Sequence, residues 1–372
     1  MCVKKFKNNH LTLFTSYFIL YILLSALILF LSCERDISGI NKNNGTSPGP
    51  DTTSHNFVWT IDTIGTFGSR LFDVFAIAED EVWAVGEIHT AETDTFDSLG
   101  NWVRPYNAIH WDGQEWEFIR IPVKIWNTNS FIIATLQAIY AFQKNDIFVT
   151  TGGEVIHYNG QDWGDWEFLF SDPYDTTFGG INKFWGISRS NFWGVGSKGN
   201  IFHNNGTIWQ KMESGTDLRL TDIWGLSEND IYAVGADMSS RDNVVLHYDG
   251  TSWKKLPTDL NRKVGVWGTA PDNLYFVGDG IFRLEGDSLR KLEPLVNVPK
   301  YFMEKVRGTA ANNMFIVGHF GFVVHYNGST WKYYPELYRY AIASSVTVKG
   351  NSVFVVGIDG SQAFIYRGRR MD

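Results

Sequence analysis

Five of the nine histidines, His110, His157, His203, His247 and His325, recur at one register, each two residues ahead of an Asp-Gly or Asn-Gly pair. Imidazoles at a fixed spacing suggest a metal site, which needs its ligands within roughly 2 Å of one ion. A second set, Asp73, Lys183, Asp222, Lys305 and Arg307, supplies acids and cations of the kind that hydrolytic chemistry uses. Cleavage of an anionic substrate would ask for an arginine cluster, an acid, and a nucleophile with its base, all facing one cavity. No nucleophile elbow, phosphate loop or paired-carboxylate motif stands out.

What those residues can do depends on the elements that carry them. Residues 221–256 divide at turn signals into four short β-rich runs, 222–225, 231–235, 244–248 and 252–256, none long enough for a helix. Asp249-Gly250 separates the last two and reads as a tight two-residue hairpin with positive φ at both positions. Degenerate copies align on Gly86, Thr151, Gly196, Gly235, Gly278, Gly318 and Gly357, at intervals of 65, 45, 39, 43, 40 and 39 residues. Four-stranded propeller blades repeat at about 40–45 residues, so the first interval carries an insertion.

The hairpin pair recurs seven times, as Asp112-Gly113, Asn159-Gly160, Asn205-Gly206, Asp249-Gly250, Glu285-Gly286, Asn327-Gly328 and Arg367-Gly368. Fourth runs begin only at Trp116, Trp163, Trp209, Trp253, Leu289 and Trp331, which makes six. The missing one lies at the other end of the chain, in residues 57–61. Pairing it with the last blade closes the ring and protects both sheet edges. The expected fold is therefore all-β, a seven-bladed propeller over residues 57–368 with a short tail at 369–372.

Ahead of the repeats, Lys4, Lys5 and Lys7 precede a nearly unbroken apolar run over residues 11–32, the pattern of an export signal. Residues 34–56 are polar and rich in Asn, Ser, Thr, Gly and Pro, and read as a flexible tether. Cys2 and Cys33 are the only cysteines and neither lies in the repeats, which argues against a disulfide scaffold or a cysteine metal cluster. Loss of residues 1–32 would move the formal net charge from −8 to −11. That disfavours nucleic acid as a partner.

Two resemblances sharpen this reading. Leu29-Phe30-Leu31-Ser32-Cys33 resembles the lipobox of bacterial lipoproteins, which implies that residues 1–32 are removed and Cys33 carries the lipid. The alternative is an uncleaved signal anchor, since the run is long enough to span a bilayer. Both place the propeller outside the cytoplasm, and the lipoprotein reading puts it on the outer membrane or cell surface. The repeats Val82-Trp83-Ala84-Val85-Gly86, Phe192-Trp193-Gly194-Val195-Gly196 and His247-Tyr248-Asp249-Gly250-Thr251-Ser252-Trp253 resemble Asp-box, or BNR-type, β-propellers. In this chain glycine follows the aspartate directly and tryptophan stands four residues after it.

On a ring, one histidine per blade cannot converge on an ion, so the imidazoles are expected to bond the neighbouring strand or blade, with Arg283 in their place in blade five. No cofactor or metal is called for. The first runs, such as Val74-Phe75-Ala76 and Ile223-Trp224-Gly225, carry a small residue in third place, which suits an innermost strand at a crowded axis. Asp73, Lys183, Asp222 and Lys305 precede these runs and Arg307 lies within one. Together they are expected to form a solvated rim at the channel mouth.

Departures from the repeat are the better guide to function. Insertions at residues 87–107, 117–137 and 164–182 fall in the upper-face loops of blades one to three. They carry Trp102, Arg104, Tyr106, Trp126, Asn127, Asn129, Asp172, Tyr174 and Asp175, side chains suited to recognising a glycan or a protein. The competing expectation is that the insertions fold back as a cap. The sequence thus points to a monomeric, lipid-anchored binding or scaffolding module. The alternative is a sialidase-like glycan hydrolase.

Overall fold

The computed structural model describes residues 51–169, 179–293, 295 and 297–371. The expected leader, Cys33, most of the tether, and Asp172, Tyr174 and Asp175 lie outside the described residues. Among the described residues no helix is long and apolar enough to cross a membrane.

Seven four-stranded antiparallel sheets form the blades of a propeller, as the repeat count requires. Blade four, the best copy of the repeat, runs Leu220–Ser227, Asp230–Ala236, Asn243–Tyr248 and Trp253–Lys255 from the axis outwards. Its second strand is buried on both faces, which is why Ile231, Ala233 and Val234 read as a continuous apolar run rather than an alternating one. Outer strands such as Trp209–Met212 are only partly covered and keep Gln210 and Lys211 in solvent. Large rings fill the wedge between blades. Trp193 of blade three meets Trp253 of blade four edge-on at 5.7 Å, and Trp83 of blade one meets Trp163 of blade two at 5.9 Å.

The hairpins differ from the expected two-residue form. In blades one to four and six, four residues separate the paired positions, as in Tyr248↔Trp253 and Trp111↔Trp116. Only the glycine takes positive φ, +90° at Gly250 and +96° at Gly113. The Asp249 carboxylate accepts from the backbone N–H of Thr251 and of Ser252, both at 3.0 Å, so the side chain organises the turn. Those bonds, with Lys254 and the Thr251 hydroxyl, hold Asp249 far below the usual carboxylate range.

Arg367-Gly368 is not a turn. It lies inside the strand Ala363–Arg370, which pairs along its whole length with Phe57–Ile64. The fourth strand of this blade comes from the other end of the chain, so no reversal is needed, and the propeller extends to Arg370 rather than stopping at residue 368. Gly368 stands opposite Trp59, where a Cβ would approach the indole to 2.7 Å. Residues 51–56, assigned to the tether by composition, are bound along blade six. Thr53 N–H donates to Asn327 O, and His55 O accepts from the Tyr334 hydroxyl.

The small third-place residues have a different cause from the one expected. A Cβ on Gly225 would lie 2.2 Å from the Trp185 ring of the preceding blade, and one on Gly308 would lie 2.7 Å from the Trp267 ring. At these two positions the ring in second place rests on the third-place glycine of the next blade. Tyr140 and Trp224 add hydrogen bonds of the same sense, to Gly186 O and Gly268 O.

Candidate functional site

The channel residues are positioned by a repeated irregularity. Six inner strands carry a bulge near their upper end, between Leu71 and Asp73 and at the equivalent places Ile181/Lys183, Leu220/Asp222, Lys263/Gly265, Met303/Lys305 and Ala343/Ser345. A bulge re-aims the residue beside it. Here it gathers Asp73, Lys183, Asp222, Lys305 and Ser345 about the axis.

The result is a buried ion network and not a solvated rim. Asp222 is fully buried and Asp73, Lys183 and Lys305 nearly so. Asp222 takes a bidentate pair from Arg307, at 2.6 and 2.9 Å, and a bond from Val266 N–H in the next blade at 3.0 Å. Lys305 Nζ lies 3.5 Å from Asp222 and donates to Thr221 O at 3.0 Å. Asp73 pairs with Lys183, accepts from the Ser345 hydroxyl at 2.8 Å, and accepts from Ile139 N–H of the next blade at 3.1 Å. Burial pushes the Asp222 carboxyl up, but the charges of Arg307 and Lys305 outweigh it and hold the group at about 2. Burial brings Lys305 down to about 8, against the pull of Asp222.

Chemically these five side chains act as staples. Both carboxylates join one blade to the next through a backbone N–H, and Arg307 is committed to Asp222. Above them a cavity of about 240 Å³ opens on the upper face.

Four of the histidines bond a residue of their own blade, and His157 also meets Arg189 of blade three at 3.0 Å. His110 reaches Glu81 at 2.7 Å, His157 reaches Asp146 at 3.0 Å, His247 reaches Asp230 at 2.8 Å and His325 reaches Asn313 at 3.1 Å. Each partner opens the second strand, and each ring stacks on the residue opposite in that strand, as His247 does on Tyr232 at 4.5 Å. His203 stacks on Trp193 at 4.0 Å, but its Nε2 has no partner because Asn191 bonds the Trp193 indole instead. Burial lowers the His203 pKa.

The insertions split between the two expectations. Residues 117–137 fold back as a cap: Ile121, Val123 and Leu136 are buried, and Asn107 ties the segment down through Ile121 O and Ala134 O, both at 2.9 Å. Trp126 is half-buried, while Asn127 (φ +55°) and Asn129 are exposed at the tip of a small hairpin. Residues 87–107 carry a projecting hairpin, Thr95–Phe96 with Trp102–Val103, in which Trp102 and Phe96 meet edge-on at 5.2 Å and stay exposed. Arg104 is exposed. Tyr106 instead packs into the core under the Arg120 guanidinium, 3.7 Å from its ring.

A second aromatic group, absent from the sequence-based candidates, lies on the upper face of blades six and seven. Phe320 is ringed by Tyr301 at 4.9 Å, Tyr340 at 5.5 Å and Tyr338 at 6.3 Å. Tyr340 is 82% exposed. Phe320 and Gly321 both take positive φ, +61° and +65°, in a two-residue turn that would ordinarily carry Asn-Gly. A bulky side chain held there costs about 1–2 kcal/mol, a strain typical of functional surfaces. The loop has the ordinary repeat length, so a search for insertions passes over it. The detectable signal is Phe320 in a turn position, followed by the tyrosine-dense residues 333–340.

No family model and no curated protein matches the sequence. Solved structures do match over most of the chain. YCF48 bound to a D1 peptide superposes with a TM-score of 0.60 at 13% identity, covering 87% of this chain and all of that one. YCF48 from Cyanidioschyzon merolae gives 0.56 at 13% identity over 84% of this chain and 98% of its own. Catalytically inactive virginiamycin B lyase from Staphylococcus aureus, with quinupristin, gives 0.54 at 11% identity over 85% of this chain and all of its own. At such identities the likeness is one of fold.

Proposed function

We propose that this chain is a lipid-anchored, extracytoplasmic propeller that works as a non-catalytic binding or scaffolding module, holding a glycan or a protein segment on its upper face. One observation carries the reading. Exposed aromatics concentrate in upper-face loops, at Phe96 and Trp102 on one sector and around Phe320 on another, while Asp73, Asp222 and Arg307 of the channel are committed to joining blades. Aromatic faces bind sugar rings and apolar side chains at small cost in conformational entropy. The peptide bound by YCF48 supports a protein ligand as one form of the same proposal.

A sialidase-like hydrolase would need Arg307 free to meet a substrate carboxylate, yet Arg307 is held by Asp222. The test is capture of glycans and peptides on arrays by the full chain, with a Tyr338→Ala/Tyr340→Ala double variant and a Phe96→Ala/Trp102→Ala double variant. Binding lost in either with unchanged thermal unfolding supports the module, and unaltered binding in both overturns the placement. Anchoring is tested separately. A Cys33→Ala chain should leave the membrane fraction and lose incorporated lipid, and retention of both would refute a lipid at Cys33.

A further inference from the structure

The cavity at the upper mouth of the channel takes a residue from every blade, among them Asp73, Gln137, Lys183, Val264, Lys305 and Ser344. It sits on the axis, where the bulged inner strands converge. The charges around it do not balance. Among the buried groups Lys183, Lys305 and, beneath them, Arg307 face Asp73 and Asp222, which leaves an excess of one positive charge, while half-buried Glu304 and exposed Arg219 offset each other at the rim. Glu304 turns Oε1 towards His319 at 2.9 Å and so is partly drawn away. An uncompensated charge in a buried site is costly, and such sites acquire a counter-charge or lose the proton.

Hydrogen bonding leads to the same place. Lys183 Nζ donates to Asp73 and Lys305 Nζ to Thr221 O, and an ammonium has three donors, so each lysine keeps capacity to spare. Both side chains are more than nine-tenths buried, which fixes their heads at the cavity. Its volume of about 240 Å³ takes a small oxygen-bearing group with water around it.

We propose that the axial mouth binds one small oxyanion, of carboxylate or phosphate type, between Lys183 and Lys305. The anion supplies the missing negative charge and accepts the unused N–H donors of the two lysines. Burial already brings Lys305 down, and Lys183 and Arg307 add to this against Asp222. A bound anion works in the opposite sense, so binding near pH 8 takes up a proton. The site goes beyond the aromatic surface proposed above and does not depend on it.

The experiment titrates inorganic phosphate and, separately, acetate into the full chain at fixed ionic strength, read by calorimetry and thermal unfolding. Lys305→Met removes the excess charge while leaving Asp222 its Arg307. Gln137→Glu puts a carboxylate into the cavity without touching a lysine. For either probe the wild type should bind saturably, with a Tm rise of about 2 °C at about ten times Kd. Both variants should bind at least tenfold more weakly, and if one fails to fold the other decides. A linear, non-saturating rise shared by all three proteins overturns the site, as does saturable binding that survives in Lys305→Met or Gln137→Glu.

Discussion

His55 Nδ1 lies 2.8 Å from His325 Nδ1, so one imidazole must donate and the other accept. His325 Nε2 faces Asn313 Oδ1 at 3.1 Å and donates there, which leaves its Nδ1 as the acceptor. His55 therefore donates from Nδ1, and its Nε2 lies 2.9 Å from the Thr330 hydroxyl. The pair needs the His325 ring neutral, because its Nδ1 must accept. Burial and the neighbouring His55 lower the His325 pKa to about 3, and burial lowers that of His55. A histidine with a depressed folded pKa destabilises the fold as pH falls below its unfolded value of about 6.5, because the unfolded chain takes up the proton first. Residues 51–56 should loosen between pH 6.5 and 5, seen as faster amide exchange and proteolysis there. His55→Ala should show that looseness already at neutral pH and remove most of the dependence.

Replacing Asp222 by Asn keeps an acceptor for Val266 N–H but leaves Arg307 and Lys305 buried without a counter-charge. A loss of about 3–5 kcal/mol is expected on denaturant unfolding. Acid has the same target. Asp222, held at about 2 in the fold, contributes stability that is full above its unfolded pKa and disappears as pH falls through about 2.

Lys305 runs the other way. Its folded value of about 8 lies below the ordinary 10.5, so between those limits the unfolded chain holds the proton and the fold does not. Stability at low anion concentration should therefore rise with pH from 8 to 10. Lys305→Met should flatten that rise and be at least as stable as wild type at pH 7, measured by urea unfolding across the range.

Cap and projecting hairpin separate by substitution. Leu136, fully buried under the cap, should cost about 2–4 kcal/mol as Leu136→Ala. Trp102→Ala, on the projecting hairpin, should stay within about 0.5 kcal/mol of wild type in the same unfolding assay.

Gly225→Ala would set a methyl carbon 2.2 Å from the Trp185 ring. Overpacking of this kind should cost about 1–3 kcal/mol. Trp185→Phe should restore part of it in the double variant, read as a positive coupling in thermal unfolding.

Blade number and ring closure were legible in the sequence because Asn-Gly and Asp-Gly turns and doubly buried second strands repeat with one period. The paired chain ends followed from a missing seventh outer strand. The channel was not legible. Asp222 and Arg307 come from blades four and six, 85 positions apart, and the bulge that turns Asp222 inward does not show in the residue pattern. Phe320 escaped for the opposite reason, since its loop has the ordinary length and its strain lies in φ. Gly368 misled because a glycine that makes room for Trp59 looks the same as one that closes a turn.

The clasp over residues 51–56 also settles how the molecule carries load. Phe57 and Arg370 pair at one end of the closing sheet, so a pull applied directly at these two residues would part that seam bond by bond, as a zip opens. A pull transmitted through residues 51–56 takes another route. It meets Thr53, His55 and their bonds to Asn327 and Thr330 of blade six before it reaches the seam, and several bonds then share the force at once. The clasp thus acts as a strain relief for the ring, much as a collar does for a cable.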